Sequence, residues 1–208
     1  MRWYLERVKI PVLAALLAVL LFCAFPAAAQ EQPEGGSEPV GSAYGLGDQV
    51  FAISLGPFIP LFFLPNVGPA GTNLTLGGTA SIAWSAYVTG SLRIGAEVGG
   101  VFDFSRPNLN PLLMLPILAR VQYVMTFYPF EVPLSLGVGM NIVKYGELKN
   151  IDLLVKPGAS VMWIYDSKWS FGLNLAWWFD FQFYPNDPTQ NRVGNFLEVS
   201  LSALYHFQ

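Results

Sequence analysis

Seven charged side chains share one parity of a two-residue alternation: Arg93, Glu97, Asp103, Arg120, Lys156, Asp180 and Glu198. Cations and anions gathered on one face admit three kinds of chemistry. Asp180 with Glu198 is the raw material of general acid–base catalysis, which needs two carboxyls in unlike surroundings. A file of charges can line an ion path. The same groups can also neutralise one another as an internal plug, completed by Gln122, Asn141, Asn174 and Gln182. An enclosed charge is strongly unfavourable unless it is paired. Glu97 and Arg120 fall at similar heights on neighbouring segments, and so do Lys156 and Asp180. The plug is the expected role.

Other chemistries lack their residues. The single cysteine, Cys23, lies in an N-terminal leader, and the single histidine, His206, stands alone near the C-terminus. No His/Asp/Glu group has metal-ligand spacing, and no Gly-rich phosphate loop opens a helix. No basic patch fits a nucleic acid. The expectation is a protein without catalytic residues, metal or cofactor, and not an enzyme.

The elements that must position the charged face are strands. In Trp169–Phe183 every second residue is apolar and mostly large, while Ser170, Gly172, Asn174, Asp180 and Gln182 fall between. A period of two gives a strand with unlike faces. The pattern recurs at 74–88, 92–104, 115–127, 134–142, 153–165 and 196–207, with a weaker first member at 49–56. Those are eight strands. The connections at 89–91, 128–133 and 166–168 are short. Those at 57–73, 105–114, 145–152 and 184–195 are longer and richer in Pro, Gly and Asn. Short turns alternating with longer loops describe an all-β, eight-stranded antiparallel up-and-down barrel.

Residues 1–29 read as a secretory signal peptide: a basic start, an apolar run from Ile10 to Phe25, and small Ala27 and Ala29 before Gln30. Residues 30–45 read as a flexible acidic tail rich in Gly, Pro and Ser. The barrel occupies 46–208. With 53% hydrophobic and only 12% charged residues, the chain has too little charge to clothe a soluble domain in the usual way. After the leader, no apolar run is long enough for a spanning helix.

A soluble barrel puts its apolar face inside, and a membrane barrel puts it outside. The inside of eight strands is just wide enough to be filled by side chains. It cannot take eight rows of bulky apolar residues while Ser, Thr, Gly and Ala face water. The apolar face therefore belongs outside, in lipid, and the aromatics gathered at strand ends fit two interfacial girdles.

So arranged, residues 46–208 resemble the small eight-stranded outer-membrane proteins of diderm bacteria, the OmpA, OmpX and OmpW class. The final strand, "FLEVSLSALYHF", resembles the family's C-terminal assembly signal, with Tyr205 and Phe207 as its aromatics; here Gln208 follows the terminal aromatic. The resemblance implies an outer-membrane location, with membrane lipids and the barrel-assembly machinery as partners. Barrels of this size that act on lipid A use a histidine at the outer leaflet, whereas His206 falls at the opposite end. The first long connection is unusual, because "GPFIPLFFLPNVGPAG" is nearly all apolar. Its Phe58, Ile59, Leu61, Phe62, Phe63 and Leu64 form a candidate apolar rim or lateral gate. The likeness to OmpW-type barrels implies a route for small hydrophobic molecules. The alternative is a non-transporting scaffold that meets host or envelope factors through its loops.

Overall fold

The computed structural model describes residues 45–65, 74–104, 111–146, 148–184 and 187–207. The expected leader, nearly all of the expected tail and part of the first long connection lie outside these residues. Val40–Gln208 is one compact unit and holds the barrel.

Eight strands run β1 Gln49–Leu64, β2 Gly77–Tyr87, β3 Leu92–Phe104, β4 Pro111–Phe127, β5 Phe130–Tyr145, β6 Leu148–Ile164, β7 Trp169–Gln182 and β8 Arg192–Phe207. They close into one barrel in sequence order, and β8 returns antiparallel to β1. The alternation decides which way each side chain points. On β7, Trp169, Phe171, Leu173 and Leu175 are exposed, while Ser170, Asn174, Trp178 and Asp180 are buried. Along the middle of the strands the outer face is apolar, with Leu201 69% and Leu173 56% exposed, while Gln49, Lys144 and Lys149 stand outward near strand ends.

The strands are longer than the sequence pattern alone indicates. Residues 57–64, expected as a loop, continue β1, and Pro111–Met114 open β4. Residues 130–133 belong to β5, 148–152 to β6 and 192–195 to β8. The expected loops at 57–73, 105–114, 145–152 and 184–195 shorten accordingly. Gly146, at a φ of 57°, lets β5 turn into β6 over two residues.

Proline misleads at these ends because it forfeits one donor, and therefore one side of the ladder only. Pro57, Pro116, Pro133 and Pro157 each pair with a residue on one neighbouring strand. On the other side each leaves a two-residue gap, after which pairing resumes in the same register. Inward glycines tighten the coil. A Cβ on Gly139 would stand 2.1 Å from the Ile117 carbonyl oxygen, and one on Gly95 would stand 2.0 Å from that of Trp84. Only glycine allows strands to approach so closely.

Candidate functional site: a layered barrel interior

The interior is stacked in layers, with the charged face at mid-height. The Arg120 Nη1 lies 2.8 Å from the Glu97 Oε2. Lys156 bridges two strands beyond, its Nζ being 2.6 Å from Glu97 and 2.7 Å from Glu198. Two cations thus balance two anions. Glu198 is further held by the Trp178 indole N–H at 3.0 Å and the Ser200 hydroxyl at 2.9 Å, and Asn174 donates to it as well. The Lys156 ammonium lies 4.7 Å from the Trp178 ring centroid. A cavity of about 30 Å3, comparable to one water, lies among these groups. The arrangement pairs each of these four charges with an opposite one. The expected partnership of Lys156 with Asp180 is replaced, because Lys156 reaches Glu97 and Glu198 instead.

Toward the short-turn end, Val50, Tyr87, Val124, Met162 and Leu204 form a small apolar cluster. The Arg93 guanidinium carbon stands 5.3 Å from the Tyr87 ring centroid. His206 faces inward, its Nε2 3.1 Å from the Ser170 hydroxyl. Tyr205 and Phe207 stand on the outward parity, with Phe207 exposed.

Above the ion pairs the interior is apolar, which corrects the expectation of a polar filling throughout. Phe58, Val101, Met114, Leu118, Leu154, Trp178 and Phe196 are among its fully buried members. Phe58 stacks on Phe196 at 4.9 Å and meets Trp178 edge-on at 5.0 Å. The six residues expected as one apolar rim therefore lie on a strand and divide between its faces. Phe58 is buried inside and Phe63 packs on the same cluster, whereas Phe62 and Leu64 are exposed. Ile59 and Leu61 are half-buried.

At the long-loop mouth polar groups return. The Asp103 carboxylate accepts from the Thr75 hydroxyl at 2.8 Å. Asp180 accepts from Asn141 at 3.0 Å and from Gln182 at 3.1 Å. Two further buried acids lie inside, Asp152 at this mouth and Glu131 at the opposite, short-turn end, both in segments the sequence pattern assigns to connections. Extending the parity of Ser135 back to Glu131 and of Lys156 back to Asp152 would have found them. Among the described residues, no group of three His, Cys, Asp or Glu side chains is placed to hold a metal ion.

A closed barrel of eight antiparallel strands matches the fold of known proteins. The chain resembles Neisserial surface protein A at 12% identity and a TM-score of 0.59, over 77% of this chain and 97% of that one. It resembles the outer membrane protein OprG from Pseudomonas aeruginosa at 10% identity and a TM-score of 0.51, covering 80% and 99%. In sequence it is 26% identical over 177 residues to an uncharacterized protein of Borreliella burgdorferi, across 75% of this chain and 82% of that protein. A family model matches residues 30–205. The chain belongs to the protein family of that model, and its fold is that of the small eight-stranded outer-membrane barrels.

Proposed function

We propose that this is an integral outer-membrane barrel that gives small hydrophobic molecules a lateral route between the apolar outer half of its interior and the bilayer. The carrying observation is the apolar groove that lies over one of the four proline gaps in the ladder, the seam between β3 and β4. Their ladder lapses at Gly99–Gly100 opposite Leu115–Pro116. Over the same stretch lies a groove of about 570 Å3, lined by outward Gly78, Ala80, Gly100 and Leu115 and by inward Val101 and Met114. Val101 and Met114 belong to the buried apolar cluster, so lipid-facing and interior apolar surfaces meet there. Below that cluster, the ion-paired layer favours exit through the wall over passage through the bore. The exposed apolar belt supports placement in a membrane. Residues 1–29 supply the export signal in this reading, and the family match begins at residue 30. Outward Tyr205 and Phe207 then serve recognition by the assembly machinery.

The test is a staple across the seam. Gly100 and Leu115 face each other across the unpaired stretch, and the barrel contains no cysteine. Cells carrying Gly100→Cys with Leu115→Cys should take up a small hydrophobic dye when reduced and lose that uptake on oxidation. Unchanged uptake by the fully oxidised form would remove this route.

A further inference from the structure

We infer that Asp152, Asp180 and the side-chain carbonyl of Asn141 form a binding site for a calcium ion at the long-loop mouth of the barrel. Three adjacent strands bring them together. Asn141 on β5 is the register partner of Asp152 on β6. Asp180 on β7 pairs with Leu154, one pleat deeper than Asp152. All three side chains point inward and are at most 2% exposed.

Their oxygens are under-used. The Asn141 Oδ1 is buried without a hydrogen-bond partner among the described residues, and the buried Asp152 Oδ2 has none there other than the Asp180 carboxyl. Asn150 donates to the other Asp152 oxygen. The Asp180 oxygens take one amide N–H each from Asn141 and Gln182. The two carboxyls interact directly with each other and share one nearby cation, Arg192. That guanidinium is already engaged: its Nε donates to the Gln182 Oε1 at 2.6 Å, and its carbon stands 4.8 Å from the Phe63 ring centroid. The mid-height quartet balances two acids with two bases, whereas this pair has one base at one remove. An enclosed pair of carboxylates with so little compensation calls for another positive charge.

The donors are all oxygen, which selects a hard cation over a transition metal. Calcium tolerates irregular geometry and keeps waters in unfilled positions, as a three-side-chain set at a mouth requires. A half-turn of the Asn141 amide would exchange its N–H2 for its oxygen beside Asp180 and align the donors on the ion. The site is independent of the lateral seam, which lies between β3 and β4.

The test is terbium luminescence of the folded full chain in detergent micelles, excited through tryptophan. Trp178 faces inward on β7, one pleat below Asp180, and serves as the donor. The expected result is one saturable Tb3+ site displaced by Ca2+. Emission should fall at least tenfold in Asp152→Asn and in Asp180→Asn, and persist in Asp103→Asn and in Asp187→Asn. Heat-shifted gel mobility verifies that each variant is folded; because two substitutions test the same site, either one that folds suffices. Equal emission from a folded Asp152→Asn or Asp180→Asn protein would overturn the site. So would the absence of saturable emission in the parent, which would leave a shared proton as what neutralises the pair. Loss confined to Asp103→Asn or Asp187→Asn would place the ion elsewhere and also reject the proposal.

Discussion

At the scale of the residue, Lys156 is the pivot, because among the described residues it is the one cation within salt-bridge distance of Glu198, and it shares Glu97 with Arg120. Removing one partner of a buried pair leaves a charge with nothing to offset its desolvation, at about 3–5 kcal/mol. Lys156→Met should therefore lower stability against urea by about that amount, and adding Glu198→Gln should recover much of it. A double variant no better than the single one would mean that Glu198 is satisfied without the lysine. Asp187, outside the strands, makes a different prediction. Hydrogen bonds from Thr189 and then Gln190 hold its carboxyl below the usual range. A carboxyl lowered on folding stabilises its turn above the unfolded value, and that contribution is lost as pH falls through the folded value. The Asp187 carboxyl carbon should titrate below an ordinary aspartate by NMR, and Thr189→Ala should move it back up. Most of the inward charges were legible in the sequence, and so was the pairing of Glu97 with Arg120, whereas Glu131, Asp152 and the partners of Lys156 were not. Parity fixes which side a residue faces, whereas shear decides which of several acids a lysine can reach, and only closure sets the shear.

At the scale of the element, alternation carried the fold because a lipid-facing strand must repeat with a period of two. It failed at strand ends that contain proline, since a run such as "GPFIPLFFL" offers no polar residue on its inner parity. The inside of the barrel is itself apolar at that height, so both faces of β1 read alike. The same local chemistry explains the close packing of neighbouring strands. Gly139 faces the Ile117 carbonyl oxygen with no room for a methyl group, whereas nothing lies within 4 Å of a Cβ on outward Gly100. Gly139→Ala should cost about 1–3 kcal/mol in urea unfolding of the folded barrel. Gly100→Ala should stay within about 0.5 kcal/mol of the parent. Similar costs for both would show that the strands part easily at Gly139.

At the scale of the whole molecule, the two faces of the wall must meet different solvents, and tryptophan reports which. Trp84, Trp163 and Trp169 stand on the outer face at 48%, 47% and 40% exposure, while Trp178 is 1% exposed inside. Trp163 and Trp169 lie at the short-turn ends of β6 and β7, where an interfacial girdle belongs. Trp84 sits further into its strand, in register with Phe51. In bilayers of lipid brominated along the acyl chain, a form retaining only Trp84 should be strongly quenched. A form retaining only Trp178 should be nearly untouched by bromine or by aqueous acrylamide, because the filling that surrounds it excludes both lipid and water. If the Trp84 form were instead quenched by acrylamide and indifferent to bromine, the apolar belt would lie in water, and the lateral seam would have no bilayer to open into. Quenching of the Trp178 form by bromine would carry the opposite message. Lipid chains would then reach the interior cluster through the wall, and the β3–β4 seam would stand open even without a molecule in transit. The oxidised Gly100→Cys, Leu115→Cys staple should then abolish that quenching while leaving Trp84 as it was.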